Sequence, residues 1–518
     1  MRLWPGKRPL LAVLTAIALA AAATPAPALA NDKAMKALLK RADAGEADAM
    51  YRIGARYFNG EGVRKDEAEG MRWYRKAAEA GHAESAANLG VGYLKGVAGL
   101  PQDNAQALRW LKLGADRGAT NGMMALALVY GEGIGVPVDE AESHRWRLKA
   151  AEAGAEEAYR LVVVDYLQGR GVAKDDAKAN FWLARMAVMG DANAAAVLGG
   201  RLSDGIGGPA DLDEAMRWYR LSAELGEQKA RFNLGGMLAH SKLASGRKEA
   251  RKQIKASGLP VPDGLTAMLT DPSMPLAEAT RRAEAGDADA QYELGMIYAE
   301  GRQGVKPDEA KAAALFRKAG IKHPRAAYYA GSYEILAGRK TEGMAWYRQA
   351  AQLGDPDALY NMGRAAMLGE YGVAKDPAQA IRWLQAGYEA GDGQAAMALG
   401  VIYDAGEAAP KDYKRAFELF QFAADLGERR AMYMLGKAYD EGLDVEKDKW
   451  QAGRWYLLGA QMGDGDAMLR YGMLFAGNGG LPEDSSKTFT WARKAAAAGQ
   501  PTAIKLVEQL DTYEKSKD

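Results

Sequence analysis

A glycine-centred pattern returns about every 36 residues along nearly the whole chain, and this period constrains the fold more than any other feature. Most spacings between successive anchor positions are 36 or 37 residues, with one of 60 and one of 32. A fixed period in this range is typical of stacked supersecondary units that cannot bury their apolar faces alone. The anchors are Gly54, Gly90, Ala127, Val163, Gly199, Gly235, Gly295, Gly331, Gly363, Gly400, Gly436 and Gly472.

Each unit predicts two helices. In helix A, the apolar residues Ala49, Ile53 and Tyr57 follow i, i+4, i+8 spacing and make one stripe. A glycine-rich loop leads to helix B, which is predicted to begin after an aspartate that accepts hydrogen bonds from free backbone amides. Most B helices carry a tryptophan, a small residue one turn later and a closing glycine. The predicted N-cap aspartates are Asp66, Asp103, Asp139, Asp175, Asp211, Asp308, Asp376, Asp412, Asp448 and Asp484.

The recurring glycine, aspartate, tryptophan and alanine columns resemble those of the Sel-one-like repeat family, a branch of the tetratricopeptide-like helical repeats. The resemblance runs over about residues 33–499. It implies an all-α fold, a right-handed α-α superhelical solenoid, here with about twelve helix-turn-helix repeats. It also implies an adaptor or scaffold, often in exported bacterial proteins, and names no partner. One exported branch of the family is stapled by cysteine pairs, and this chain has no cysteine.

Departures from the period predict two modules. The copy anchored at Gly235 lacks the loop glycines, the aspartate and the tryptophan, and Pro260 and Pro262 then disfavour a continuous helix. Residues 279–295 afterwards repeat the pattern of residues 38–54. We therefore predict module 1 with six repeats over residues 31–257, a linker over 258–275, module 2 with six repeats over 276–513 and a tail over 514–518.

The first thirty residues have the features of a secretory signal peptide. Arg2, Lys7 and Arg8 give a positive start, residues 10–22 are apolar, and residues 28–30 read Ala-Leu-Ala, a small-x-small cleavage pattern. The apolar run is too short to span a bilayer as a helix, although an uncleaved anchor is the alternative. We predict a signal peptide over residues 1–30, with cleavage near Ala30 and Asn31. The mature protein should be periplasmic or secreted, with no membrane span.

Composition and motifs argue against several functional classes. Lys and Arg number 68 and Asp and Glu 67, which is unlike the basic excess of nucleic-acid binders. The chain has no cysteine for thiol catalysis, and its four histidines are far apart in sequence, which argues against a histidine metal site. The glycine-rich residues 131–136 and the S-x-x-K match at 245–248 lack the context that their chemistries require. We predict no enzymatic activity, no catalytic residues, no cofactor, no metal site and no nucleic-acid partner.

Partner binding is the remaining hypothesis. We expect a non-catalytic scaffold that binds a protein or extended peptide along the solenoid groove in the bacterial envelope. The alternative is a carbohydrate- or peptidoglycan-associated protein, or an accessory to a cell-wall enzyme, with a glycan ligand.

Tyrosines recur three residues before the anchor, on the side of helix A opposite its core stripe. Amphipathic rings there suit a peptide or a glycan, whereas packing against the next repeat is the structural alternative. The candidate partner-binding residues are Tyr292, Tyr328, Tyr360 and Tyr433.

Overall fold

A computed structural model of the chain describes residues 33–240, 244–262, 265 and 274–515. Within these ranges the protein is all α-helical, with 27 helices and no strand, which confirms the predicted fold class. The predicted signal peptide and its cleavage site lie outside the described residues, as do parts of the predicted linker and tail.

The helices follow one another in short pieces, most of them 11–13 residues long. The first thirteen are α1 (Lys33–Asp43), α2 (Ala47–Asn59), α3 (Glu67–Glu79), α4 (Ala83–Lys95), α5 (Asn104–Asp116), α6 (Thr120–Glu132), α7 (Glu140–Glu152), α8 (Glu156–Gln168), α9 (Asp176–Val188), α10 (Ala192–Ser203), α11 (Leu212–Glu224), α12 (Gln228–Ala239) and α13 (Ala244–Ser257). The remaining fourteen are α14 (Leu276–Glu284), α15 (Ala288–Glu300), α16 (Glu309–Ala319), α17 (Pro324–Leu336), α18 (Lys340–Gln352), α19 (Pro356–Leu368), α20 (Pro377–Glu389), α21 (Gly393–Ala405), α22 (Tyr413–Asp425), α23 (Arg429–Glu441), α24 (Lys449–Gln461), α25 (Gly465–Met473), α26 (Ser485–Ala497) and α27 (Pro501–Lys515).

The helices form A–B pairs, and the local signals in the sequence explain where the B helices begin and end. All ten predicted N-cap aspartates accept a hydrogen bond from a backbone amide of the following turn, as Asp66 does from Glu69 at 2.9 Å. The predicted closing glycines have positive φ, for example 106° at Gly81, a conformation that glycine adopts without a steric penalty.

The anchor glycines let the two helices of a pair approach closely. A Cβ atom added at Gly54 would lie 2.6 Å from the Tyr74 ring, and one added at Gly436 would lie 2.5 Å from the Tyr456 ring. The side chain that meets the glycine is therefore the one directly after the tryptophan position, a column that the sequence analysis did not single out. The tryptophans lie beside it, buried at Trp110, Trp146, Trp182, Trp218 and Trp455 and half-buried at Trp73, Trp346, Trp383 and Trp491.

The degenerate copy around Gly235 still forms a helix pair. Helices α12 and α13 pack against each other although the tryptophan and the N-cap aspartate are missing. A Cβ atom at Gly235 would lie 2.6 Å from Ile254, which takes the place that Tyr74 has in the first pair. The close glycine contact thus persists where the rest of the motif is lost.

Contacts divide the chain into two compact units. The first comprises residues up to Met186 together with Arg201–Ala210, and the second comprises Ala187–Gly200 and the chain from Asp211 onward. The predicted linker over 258–275 falls inside the second unit. Whether it separates two modules that fold independently stays a prediction.

Helices α11 and α24 contact each other within the second unit, although their residues are more than 200 positions apart. The Arg217 guanidinium makes two hydrogen bonds of 2.8 and 2.9 Å to the Asp425 carboxylate, at the end of α22. Arg454 bonds to Glu214 at 2.5 and 3.2 Å and lies 4.3 Å from the Trp218 ring centroid. Repeat arrays usually hold only neighbouring units together, so this long-range contact adds a constraint to the second unit.

Candidate functional site

Five tyrosines occupy one repeating position on the A helices, five residues after the N-cap of each helix. We define a tyrosine step as the tyrosine, the residue three before it and the N-cap residue of the next A helix. The i, i+3 spacing places the first two on one helix face. The second unit contains the Tyr292, Tyr328, Tyr360 and Tyr433 steps, and the first unit contains the Tyr51 step.

At the Tyr328 step, an arginine of the chain lies against the tyrosine ring. The Arg325 guanidinium carbon is 4.7 Å from the Tyr328 ring centroid. Its Nη1 atom lies 3.2 Å from a carboxylate oxygen of Asp355, the N-cap of α19, and 2.5 Å from one of Asp357. The ring also stacks on Tyr347, with centroids 5.2 Å apart. The step therefore holds its own cation between a ring and two carboxylates.

The Tyr433 step repeats this arrangement. The Arg430 guanidinium carbon lies 4.2 Å from the Tyr433 ring centroid. Its Nη1 atom is 3.4 Å from Asp464, the N-cap of α25, and 2.6 Å from Asp466. Two steps separated by two repeats thus contain the same tyrosine, arginine and paired carboxylates.

At the Tyr292 and Tyr51 steps, a histidine covers the ring. His323 and His82 are the N-caps of the following A helices, and each stacks on its tyrosine with centroids 4.4 Å apart. The Nδ1 atom of His323 accepts a hydrogen bond from the Ala326 amide, at 3.1 Å. Burial lowers the pKa of His323, which favours the neutral imidazole that can accept this bond.

The Tyr360 step has neither arrangement. Its preceding residue is Asp357, and the next N-cap is Asp392. Within the described ranges, no ring or cationic group lies against Tyr360, and the helix-B residue opposite the nearby Gly363 is Leu384 rather than an aromatic residue. In the described part of the chain this half-buried tyrosine therefore has no covering group, and it shares a helix face with the Asp357 carboxyl group.

Two carboxyl groups meet at the Tyr360 step. Asp392 is 7% exposed, accepts a hydrogen bond from the Ala395 amide at 2.6 Å and also interacts with the side chain of Asp357. Burial, together with the negative charges of Asp357 and Glu428, raises the pKa of Asp392 to about 7. A hydrogen bond between the two carboxyl groups requires a shared proton, because two carboxylates have no donor.

The four tyrosines predicted as partner-binding residues are thus all half-buried on the A helices. Tyr292 and Tyr328 are linked through Tyr329, with centroid distances of 6.2 and 5.8 Å, whereas no ring contact joins Tyr360 or Tyr433 to this group among the described residues. Burial raises the pKa of Tyr292 and of Tyr328 to about 12, so both hydroxyls keep their protons near neutral pH. Their role in partner binding stays a prediction.

The charged members of the steps are not among the predicted site residues. Arg325 and Arg430 each precede a tyrosine by three residues, and Asp357 has the same place before Tyr360. That spacing was visible in the sequence and could have indicated them. Their carboxylate partners belong to the following repeat, at a distance in sequence that varies with loop length.

Together, the paired helices and their charged tyrosine steps define an α-solenoid whose A helices present the candidate surface. The chain belongs to the Sel1 repeat family, the family that the sequence resembles, because eleven matches to the Sel1 repeat cover well over half of it. The matched residues are 47–82, 83–118, 120–154, 166–191, 192–227, 288–321, 324–355, 356–392, 393–428, 429–464 and 465–500. Proteins of this family generally act as protein-interaction scaffolds and are typically non-catalytic.

One curated relative is the Chitin synthase regulator SKT5 of Saccharomyces cerevisiae, 33% identical over 151 residues. The alignment covers 28% of this chain and 22% of that protein, so the chain spans about a fifth of the relative's length.

Two solved structures carry related repeats. The protective antigen c5321 of uropathogenic Escherichia coli, with an SLR fold, is 29% identical, with coverage of 94% of this chain and 91% of that chain and a TM-score of 0.35. A Sel1 repeat protein from Oxalobacter formigenes is 30% identical, with coverage of 44% and 93% and a TM-score of 0.33. In the part of the chain that the structure describes, no helix combines the length and apolar character that crossing a membrane requires.

Proposed function

We propose that this protein is a non-catalytic scaffold that binds an extended segment of a partner protein along the tyrosine steps of its second unit. The observation that carries the proposal is that half-exposed tyrosines and charged groups share one position on four A helices of the second unit, three of them successive. The general role of the Sel1 repeat family supports a protein partner. No feature of the site favours a glycan over a protein.

The composition of the steps suits a protein interface. Tyrosine and arginine are enriched where partner proteins are held most strongly, because large planar groups bury much area with little loss of conformational freedom. The steps of Tyr292, Tyr328 and Tyr360 lie in three successive repeats, so an extended partner would meet them in succession. Carboxylates at the same steps add selectivity through charge complementarity.

The surface can be tested by photo-crosslinking in the protein's own host cells. A photoreactive amino acid would replace Gln394, which is exposed and has the same position in α21 as Arg325 has in α17. The matched control replaces Arg382, which is exposed on helix α20, a B helix. We expect discrete protein adducts from position 394 and few from position 382. Equal labelling of both positions, or no adduct at position 394, would contradict the proposed surface.

We also propose that the mature protein acts in the bacterial envelope. The support is the amino-terminal sequence alone, with its positive start, short apolar run and Ala-Leu-Ala pattern before Asn31. Mass spectrometry of the protein from envelope fractions should find a chain that begins at Asn31. A chain that retains Arg2 in cytoplasmic fractions would contradict export.

A further inference from the structure

The Tyr360 step lacks a group that its neighbours possess. In the Tyr328 and Tyr433 steps, a guanidinium lies 4.7 and 4.2 Å from the ring centroid and reaches the N-cap aspartate of the next repeat. In the Tyr360 step, the ring and the N-cap aspartate are both present, but the position of the arginine is taken by Asp357. Two steps of the same chain therefore show which group fits beside a tyrosine and an N-cap aspartate.

The charged groups of the Tyr360 step also favour the binding of a cation. Asp392 is 93% buried, and no lysine, arginine or histidine lies within ion-pair distance of it among the described residues. Asp357 already pairs with Arg325, at 2.5 Å, but that single positive charge is shared with Asp355. Glu428, the N-cap of α23, adds a further negative charge near Asp392. Buried carboxylates are normally paired, so this step is deficient in positive charge.

We propose that the Tyr360 step binds an arginine side chain of the partner protein, with the guanidinium stacked on the Tyr360 ring and paired with Asp392 and Asp357. The inference rests on the proposed function and specifies one feature of the partner segment. Arginine fits better than lysine because its planar group stacks on a ring and bonds to carboxylates at the same time, as Arg325 does.

Binding should depend on pH in a defined direction. An incoming guanidinium pairs with the ionised form of Asp392 and displaces the proton shared with Asp357. The other charged groups that face Asp392 are Glu428 from α23 and, through Asp357, Arg325 from α17. Because arginine keeps its charge throughout, affinity for the guanidinium should rise between about pH 6 and pH 8, as Asp392 loses its proton.

The test uses the full chain labelled with ¹³C at aspartate carboxyl groups and two small probes. Nα-acetyl-arginine amide supplies the guanidinium, and Nα-acetyl-citrulline amide is its neutral counterpart of nearly the same shape. At about pH 7, we expect the arginine probe to move the Asp392 signal toward its ionised position with millimolar affinity, and the citrulline probe to leave it in place.

Variants assign the site. Asp392→Asn keeps the N-cap acceptor and should lower affinity for the arginine probe about tenfold or more. Binding to this variant is monitored through the ¹³C signal of Asp357. Tyr360→Leu should lower it about threefold, which is the usual size of a partly exposed cation–π contact. Asp376→Asn, at a helix-B N-cap of the same repeat, should leave probe binding unchanged.

The outcomes separate this inference from the proposed function. Equal responses to both probes, or arginine binding that survives Asp392→Asn, would overturn the inference. If either of these results is obtained and crosslinking from position 394 persists unchanged in Asp392→Asn, the proposed scaffold surface stands and the proposed arginine-binding site does not. Loss of both adducts and probe binding in Asp392→Asn, with the fold intact by circular dichroism, supports the two together.

Discussion

The Tyr328 and Tyr360 steps lie in successive repeats of the second unit, and they differ mainly in one charged residue, an arginine in the first and an aspartate in the second. Both have a half-buried tyrosine three residues after a charged side chain, and in both the N-cap aspartate of the next A helix is buried. At the first step the charged residue is Arg325, which pairs with Asp355 and covers the ring, although burial still raises the pKa of Asp355. At the second it is Asp357, which adds to the negative charge around Asp392.

If the Tyr360 step binds as proposed, this difference allows a repeat protein to acquire a binding position without a new fold. The helix pair, the glycine contact and the N-cap are retained, since A–B packing does not depend on the residue two positions after the N-cap. An arginine there closes the step with a group of the same chain. An aspartate there leaves the ring and the buried carboxyl group for a partner.

The largest expected loss of stability comes from removing the arginine of the Tyr328 step. Arg325→Ala would leave Asp355, which is 3% exposed, without its cation. Removing one partner of a buried ion pair is strongly destabilising, so we expect a loss of about 3 kcal/mol in the free energy of unfolding, measured by urea denaturation at neutral pH.

The control for this loss is an exposed pair on the neighbouring A helix. Arg364 lies 3.7 Å from Glu370, with both side chains about 40% exposed. Arg364→Ala should lower stability by less than about 1 kcal/mol. Similar losses in the two variants would show that Arg325 is an ordinary surface residue.

A second prediction concerns the stability of the Tyr360 step. The pKa of Asp392 in the folded protein, about 7, lies above the ordinary value of 3.8, so the native state holds this proton more tightly than the unfolded chain. The resulting stabilisation is fully present below the unfolded pKa and is lost as the pH rises through about 7.

Asp392→Asn removes the buried charge and keeps the N-cap acceptor. We expect the variant to be about 2 kcal/mol more stable than the natural chain near pH 8.5, with the gain shrinking toward pH 5. Thermal unfolding across this pH range measures it, and Asp376→Asn is the matched N-cap control. A gain that is the same at both pH values would mean that Asp392 titrates normally.

The smallest expected losses of stability come from replacing the tyrosine of each step with leucine. Tyr328→Leu removes a ring that stacks on Tyr347 and lies beneath Arg325, and should lower stability by about 1–2 kcal/mol. Tyr360→Leu removes a ring without such contacts and should lower it by less than about 0.5 kcal/mol in the protein without partner. Equal losses at both positions would indicate that Tyr360 is part of the core after all.

The sequence predicts the features of the fold that depend on residues close together in the chain. Asp66 caps its helix through an amide three residues away, and Gly81 ends the helix through its own backbone conformation. The spacing of these residues in the sequence therefore predicts both ends of the helix. The contact between Gly54 and Tyr74 was only half predicted. The sequence shows that the glycine permits close approach, but not which side chain fills the space.

The rest depends on how successive repeats are placed. Tyr292 is covered by His323 of the next repeat, whereas Tyr328 is covered by Arg325 from three positions earlier on its own helix. The carboxylates that pair with Arg325 belong to the next repeat. The contact of Arg454 with Glu214 joins residues 240 positions apart, so it depends on how many successive repeats are placed and cannot be predicted from a local sequence pattern.

The central claim is that the Tyr360 step is short of positive charge in the protein without partner. The most direct measurement is the titration of the Asp392 carboxyl group by ¹³C nuclear magnetic resonance, with the signal assigned by Asp392→Asn. We expect a midpoint close to pH 7, because burial and neighbouring carboxyl groups hold the proton. A midpoint near the ordinary aspartate value of 3.8 would mean that the carboxylate is already satisfied, and would contradict it.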